Sequence, residues 1–249
     1  MQVCLQLKIY FTCIVGLRNN LLKSSRRKLN QPRPQLILSY RLPLCYPSAN
    51  NSRTMVAHVL TVAPVGYEGA IVEVESDNKR GLPSIQIVGM GTKSVDEAKE
   101  RVRSAIGNSL LEFPAKKITI NLAPAELVKD GAHFDLPIAL AILACSGQLR
   151  QEEVDDAIFA GELALDGSLR PIKGVINIAQ AAKKAKITKL YVPSHNVQQA
   201  CLIDGLTVIG IKTLKELYLH LKQESVIPSS EHKKYQTPPK ITSGHHLDD

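Results

Sequence analysis

At 249 residues with 44% apolar content, the chain holds enough material for one core of ordinary size plus flanking segments. Its formal charge of +8 points first to nucleic acid or a membrane surface, but the charge is not spread along the chain. Residues 1–54 carry nine Lys or Arg and no Asp or Glu, so the remainder sits at −1 (+8 less +9); this excludes a body-wide field for a polyanion and leaves only local basic patches.

Three of the five cysteines (Cys4, Cys13, Cys45) lie in that basic leader. The other two, Cys145 and Cys201, form neither a disulfide framework nor a zinc pattern, and each sits among apolar neighbours as a small hydrophobe, which fits a reducing cytoplasm. The stretch 3–17 is apolar but short and interrupted by Gln6 and Lys8, so no membrane-spanning helix is expected. A transit peptide and a signal peptide are both compatible with the leader. The plainest reading is a mis-set start with Met55 as the true first residue, because regular patterning begins there.

From Val56 the elements follow in order. His58–Val65 and Ala70–Glu75 are β-rich runs separated by Gly66 and Gly69, a hairpin, and Ser84–Val88 is a third strand. Ser94 and Glu97 have capping-box spacing, and Val95, Ala98, Val102, Ala105 and Ile106 recur at helical period, which predicts an amphipathic helix. Lys116–Leu122 alternates Ile118, Ile120 and Leu122 with polar residues, a half-buried strand. Leu136–Cys145 is apolar on every side and reads as a buried helix, with Pro137 tolerated in its first turn.

Ala157–Leu165 and Leu169–Ile172 flank Asp166-Gly167, a hairpin signal. Then come a helix (Val175–Lys186), a strand (Lys189–Val192), a short helix (Asn196–Ile203), a strand (Thr207–Ile211) and a last helix (Leu214–Gln223). Meandering strands followed by βα alternation predict an α+β domain with a mixed sheet over residues 55–224. Residues 225–249, poor in apolar side chains, read as a linker or tail.

Gly89-Met-Gly-Thr-Lys-Ser94 follows a strand and opens a helix, where a phosphate loop would sit. A Walker A loop would need glycines where Ile87 and Thr92 stand, and a dinucleotide fingerprint would need one at Ser94. A tight turn with a helix cap is the first reading and an anion site the second. His58, His133, His195, His220, His232, His245 and His246 show no metal-ligand spacing, so no metal is expected. Lys183, Lys184, Lys186 and Lys189 are the one basic cluster of the body: a solvated helix end, or a contact for nucleic acid.

The strings GLPSIQIVG…SVDEAKERVRSAI, KKITINLAPAELVKDGAHFDLPIALAILACSGQL and FAGELALDGSLRPIKGV resemble the N-terminal, ChlI-like domain of ComM-type magnesium-chelatase-like AAA+ proteins, from about Met55 to Leu221. The resemblance implies a fold similar to the second domain of ribosomal protein S5 and to the Lon protease domain. Lon-like proteases carry Lys-Asp-Gly-Pro-Ser-Ala-Gly with a nucleophilic Ser. Here Lys129-Asp130-Gly131-Ala132 is followed by His133 at that place, and the general-base Lys position is held by Ile176, with Lys173 three residues early. A serine–lysine dyad needs both groups, so no catalytic residue and no cofactor is expected in this chain.

The family implies an AAA+ module that binds ATP and magnesium, hexameric rings of like protomers, and DNA branch migration during natural transformation. The expected role is thus a non-catalytic assembly and binding domain. The rivals are a degenerate Lon-like peptidase and a magnesium chelatase accessory subunit.

Overall fold

The structure, a computed structural model, describes residues 56–230 apart from Tyr67 and Met90. The leader 1–54, Met55 and residues 231–249, with His232, His245 and His246, lie outside the described residues. Eight strands form one mixed sheet, in the spatial order Ser229–Ser230, Thr207–Ile211, Lys189–Pro193, Ala157–Phe159, Ala57–Val65, Glu68–Lys79, Lys117–Ala123 and Ser84–Val88. The first four in sequence are β1 (Ala57–Val65), β2 (Glu68–Lys79), β3 (Ser84–Val88) and β4 (Lys117–Ala123). β1 and β2 form the expected antiparallel hairpin, β4 joins β2 antiparallel, and β3 joins β4 in parallel. On the other side of β1 the pairs β1–β5, β5–β8 and β8–β9 are all parallel, with β5 at Ala157–Phe159, β8 at Lys189–Pro193 and β9 at Thr207–Ile211.

Among the described residues five α-helices fill the connections: α1 (Lys93–Asn108), α2 (Asp135–Cys145), α3 (Val175–Lys184), α4 (Val197–Ala200) and α5 (Leu214–Leu221). The buried residues of α1 are Val95, Ala98, Val102, Ala105 and Ile106, the five that its period singles out. Every residue of α2 is buried, as the unbroken apolar run after Asp135 requires. α1, α2 and α5 share one core with Val59, Val72, Val74, Ile118, Ile120 and Leu122 on one sheet face. α3 and α4 build a second core on the opposite face with Val62, Ile158, Leu190, Val192 and Val208. Residues of β3 and β4 belong to the first core alone, so the second face is helix-covered over β5, β8, β9 and the Gly69–Ile71 end of the β1–β2 hairpin, and open over β4, β3 and the far end of that hairpin.

The run expected as one strand from Ala157 to Leu165 divides. β5 ends at Phe159, and the chain leaves the large sheet at Gly161, whose N–H donates to His133 O and whose carbonyl accepts from Leu136 N. A side chain at Gly161 would overlap Leu169 and crowd Leu136. Beyond it, β6 (Glu162–Leu163) and β7 (Leu169–Arg170) make the expected hairpin, with Gly167 at φ +84° in its turn.

Two further local expectations change. Thr92, not Ser94, occupies the N-cap of α1, and Ser94 Oγ turns toward the Lys129–Asp135 loop instead of closing a capping box. Ser229–Ser230 forms β10, antiparallel to β9, and Ile227 is buried, so ordered packing runs past residue 224.

A closed Lon-like loop, a basic helix end and an open strand face

The segment from Lys129 to Asp135 leads from β4 into α2 and carries three buried polar side chains, Lys129, His133 and Asp135. Lys129 is fully buried, and its Nζ donates to Pro124 O at the end of β4. Burial pulls its ammonium below the usual lysine range. The Lys129 carbonyl accepts from Thr92 N (3.0 Å), which ties the loop to the start of α1. Asp130 Oδ1 accepts from Thr92 Oγ1 (2.7 Å) and Ser94 Oγ (3.0 Å), and Ser94 Oγ accepts from Gly131 N (3.1 Å). Those hydroxyls hold the Asp130 carboxyl below its ordinary range.

A carboxylate of the chain itself therefore sits at the opening of α1, where an anion-binding loop would place its ligand. The Gly89–Gly91 turn is shaped by packing: a side chain at Gly89 would overlap the Leu122 backbone, and one at Gly91 would overlap Val95. The tight-turn reading accounts for both glycines.

His133 stands where the Lon-like nucleophile would be. It is 6% exposed, and its Nε2 lies 3.0 Å from Val62 O in β1. A carbonyl only accepts, so Nε2 carries a proton. Burial lowers its pKa to about 4, against the Val62 hydrogen bond and Asp130, which raise it. The ring also explains Gly131: φ is +105°, and a Cβ there would lie 2.9 Å from His133 Nδ1.

Asp135, fully buried, accepts from Arg101 Nε (2.7 Å), Arg101 Nη2 (3.0 Å) and Leu163 N (3.2 Å). Burial pushes its pKa up to about 6 although Arg101 and the Leu163 amide oppose it. The same pairing raises the Arg101 guanidinium. α1, α2 and the β6 backbone are thus pinned together by one charge pair.

Ile176 lies in the first turn of α3 and is exposed. Gly174 just before it backs onto the Pro64 ring, and Asn177 Nδ2 donates to Gly66 O (3.2 Å). The His133 and Ile176 positions therefore flank the same end of β1, with an imidazole bonded to backbone at one and a hydrocarbon at the other. Neither position holds the serine or the lysine that a serine–lysine mechanism requires.

At the end of α3, Lys183 Nζ pairs with Asp204, and Lys184 Nζ lies 3.6 Å from Glu68 Oε2. Lys186 follows in a left-handed turn at φ +62°, and Lys189 opens β8. The structure places all four lysines around one helix end but gives two of them acidic neighbours.

The histidines show no metal-ligand spacing along the chain, but the fold brings His58 beside two carboxylates. β-pairing sets His58 opposite Glu75, with Glu73 two residues along on the same face. The donor atoms of the three lie within 4.8 Å of one another. Spacing along the chain could not reveal this, because the set is assembled across the hairpin; the strand register was the signal. Among the described residues no helix is long and apolar enough to cross a membrane.

Residues 74–196 match the family model for subunit ChlI of Mg-chelatase. The chain is 39% identical to competence protein ComM of Haemophilus influenzae over 70% of this chain and 34% of that protein. It is 47% identical to the protein YifB of Escherichia coli over 59% of this chain and 29% of that protein. It is 29% identical to Lon protease 2 of Bacillus subtilis over 67% of this chain and 32% of that protein. The chain thus spans about a third of the length of the curated relatives it matches. The mixed sheet with packed helices, read with the Lon relative, is the α+β fold of the ribosomal S5 domain 2 and Lon protease class. Residues 74–196 are accordingly a ChlI-like domain of the magnesium-chelatase type, and the chain is similar to ComM and YifB over about a third of their length.

Proposed function

We propose that this chain is a non-catalytic binding and assembly module that works in the cytoplasm beside an ATP-driven AAA+ motor acting on DNA. The observation that carries the reading is His133: a neutral, buried imidazole bonded to Val62 O at the one place where the fold's peptidases keep a nucleophile. Ile176 at the general-base position supports it. The name of the Haemophilus relative ties that protein to competence, and a role in competence is extended from it to this chain; branch migration is what the resemblance to ComM-type proteins implies. ATP and magnesium belong to the motor, which is also the main partner, with like protomers around it. DNA is engaged chiefly by the assembled ring, and the α3 lysines make a minor contribution because Asp204 and Glu68 already offset two of them.

The test is capture of the tagged chain from its native cells, followed by an ATP-dependent branch-migration assay on synthetic junctions with and without the chain. Enrichment of a AAA+ protein, and a migration rate that depends on the chain, are the expected results. Absence of any such motor, together with a rate that ignores the chain, would overturn the reading.

A further inference from the structure

The open half of the second sheet face changes character along the β1–β2 hairpin. Val62 faces Ile71 under α3, Leu60 faces Glu73 where that cover thins, and His58 faces Glu75 beyond it. Glu73 and Glu75 are two residues apart on one strand face, so two carboxylates share a side of the sheet with one imidazole beside them. His58 Nδ1 lies 2.8 Å from Glu73 Oε1. The nitrogen is shielded from water, yet makes no hydrogen bond of acceptable geometry, to Glu73 or to any other group. An ordinary histidine–glutamate ion pair would align the N–H with the oxygen, and here the two are close without being aligned.

The surroundings fix these donors in place. Gln151 clamps the His58 backbone from both sides, its Oε1 accepting from His58 N (3.1 Å) and its Nε2 donating to His58 O (2.7 Å). Asn121 Nδ2, on the neighbouring β4, donates to Glu75 Oε2 (2.8 Å). This leaves the other carboxylate oxygen to act as a ligand, the orienting arrangement that outer partners supply around metal sites. One imidazole nitrogen and two carboxylate oxygens suit a divalent first-row cation of the zinc type. Ligand bonds of about 2.0–2.2 Å place neighbouring donors roughly 3 Å apart, near the His58–Glu73 separation.

We propose that His58, Glu73 and Glu75 form a divalent transition-metal site on the open face of β1 and β2, with its remaining positions taken by water. The cation would bring the two carboxylates and the imidazole under one charge and lock the free end of the hairpin. The site lies away from the Lys129–Asp135 loop and does not depend on the proposed role of the chain.

The experiment is a cobalt(II) titration of the purified full chain, followed by visible absorption, with zinc as competitor and far-ultraviolet dichroism as the check on folding. The wild type is expected to bind one cobalt ion that zinc displaces. His58→Ala should weaken that binding at least tenfold with the fold intact, and E73Q and E75Q should each weaken it too. A His245→Ala/His246→Ala variant, lacking the other neighbouring histidine pair, should bind as the wild type does. The proposal fails if the wild type takes up no cobalt, or if His58→Ala binds as tightly as the wild type while the tail variant does not.

Discussion

Arg101 and Asp135 lie on helices packed against one face of the sheet, while His58, Glu73 and Glu75 lie on the other face where helices α3 and α4 do not reach. In the first set every polar atom of the Asp135 carboxylate is met by a donor, and water is excluded. In the second the groups are half exposed, and one shielded nitrogen has no hydrogen bond. The difference teaches where this fold has closed chemistry off and where it has left donors available. The loop that is reactive in Lon-like peptidases is here tied down by buried hydrogen bonds, while the strand face carries the donors of the proposed metal site.

The sharpest way to break the comparison is Arg101→Ala. It strands a fully buried carboxylate, and a loss of about 3–5 kcal/mol is expected by chemical denaturation at neutral pH. Its pH dependence has a definite sign. The folded pKa of Asp135 is raised to about 6, so its contribution favours the fold below its ordinary value near 3.8 and is lost as pH rises through about 6. The cost of Arg101→Ala should therefore be greatest above pH 6 and shrink toward pH 4, where Asp135 can be neutral. A cost that does not vary with pH would mean Asp135 is not the group left unpaired.

His133 titrates with the opposite sign. Its folded pKa, about 4, lies below the ordinary 6.5, so the stability it gives is present above 6.5 and lost as pH falls toward 4. Replacing it by Gln, which can still donate to Val62 O, should remove about 3 kcal/mol of that acid sensitivity, measured as the difference between the two stability–pH curves. Identical curves would show that His133 is not held neutral.

Gly89→Ala should cost about 2 kcal/mol, since a positive φ of 101° is combined with overlap of the Leu122 backbone. Gly205→Ala, at φ +82° with open space around it, should cost about 1 kcal/mol. Equal losses would remove the packing account of the Gly89–Gly91 turn. The smallest effect is expected at the basic helix end. Changing Lys183, Lys184, Lys186 and Lys189 together to Ala should lower the affinity of the chain for duplex DNA less than about threefold, with a shallow salt dependence, because Asp204 and Glu68 already offset Lys183 and Lys184. A loss of a hundredfold or more would make that helix end a genuine DNA contact.

Much of the fold was legible because burial writes itself into local order. Ile118, Ile120 and Leu122 alternate, and all three are core; α2 is apolar on every side and is buried on every side. The break at Gly161 was not legible, because what ends β5 is the backbone of the turn before α2, remote in sequence. Ser94 misled for a related reason: its spacing from Glu97 satisfies a local rule, but its hydroxyl is claimed by Asp130 and Gly131 from another loop. At the candidate sites the sequence could name His133 and Ile176 as departures from a motif, yet could not say that His133 is neutral or what it touches. The His58 set needed the register of a hairpin, and Asp204 and Glu68 beside the lysines needed tertiary contacts.

The central claim is that the Lys129–Asp135 loop is structural and does no chemistry of its own. It is tested most directly by incubating the purified chain with an unstructured protein substrate and a fluorogenic peptide, and following cleavage against a buffer control. The account predicts no turnover above buffer. Cleavage that persists through repeated purification and disappears in His133→Ala would contradict it.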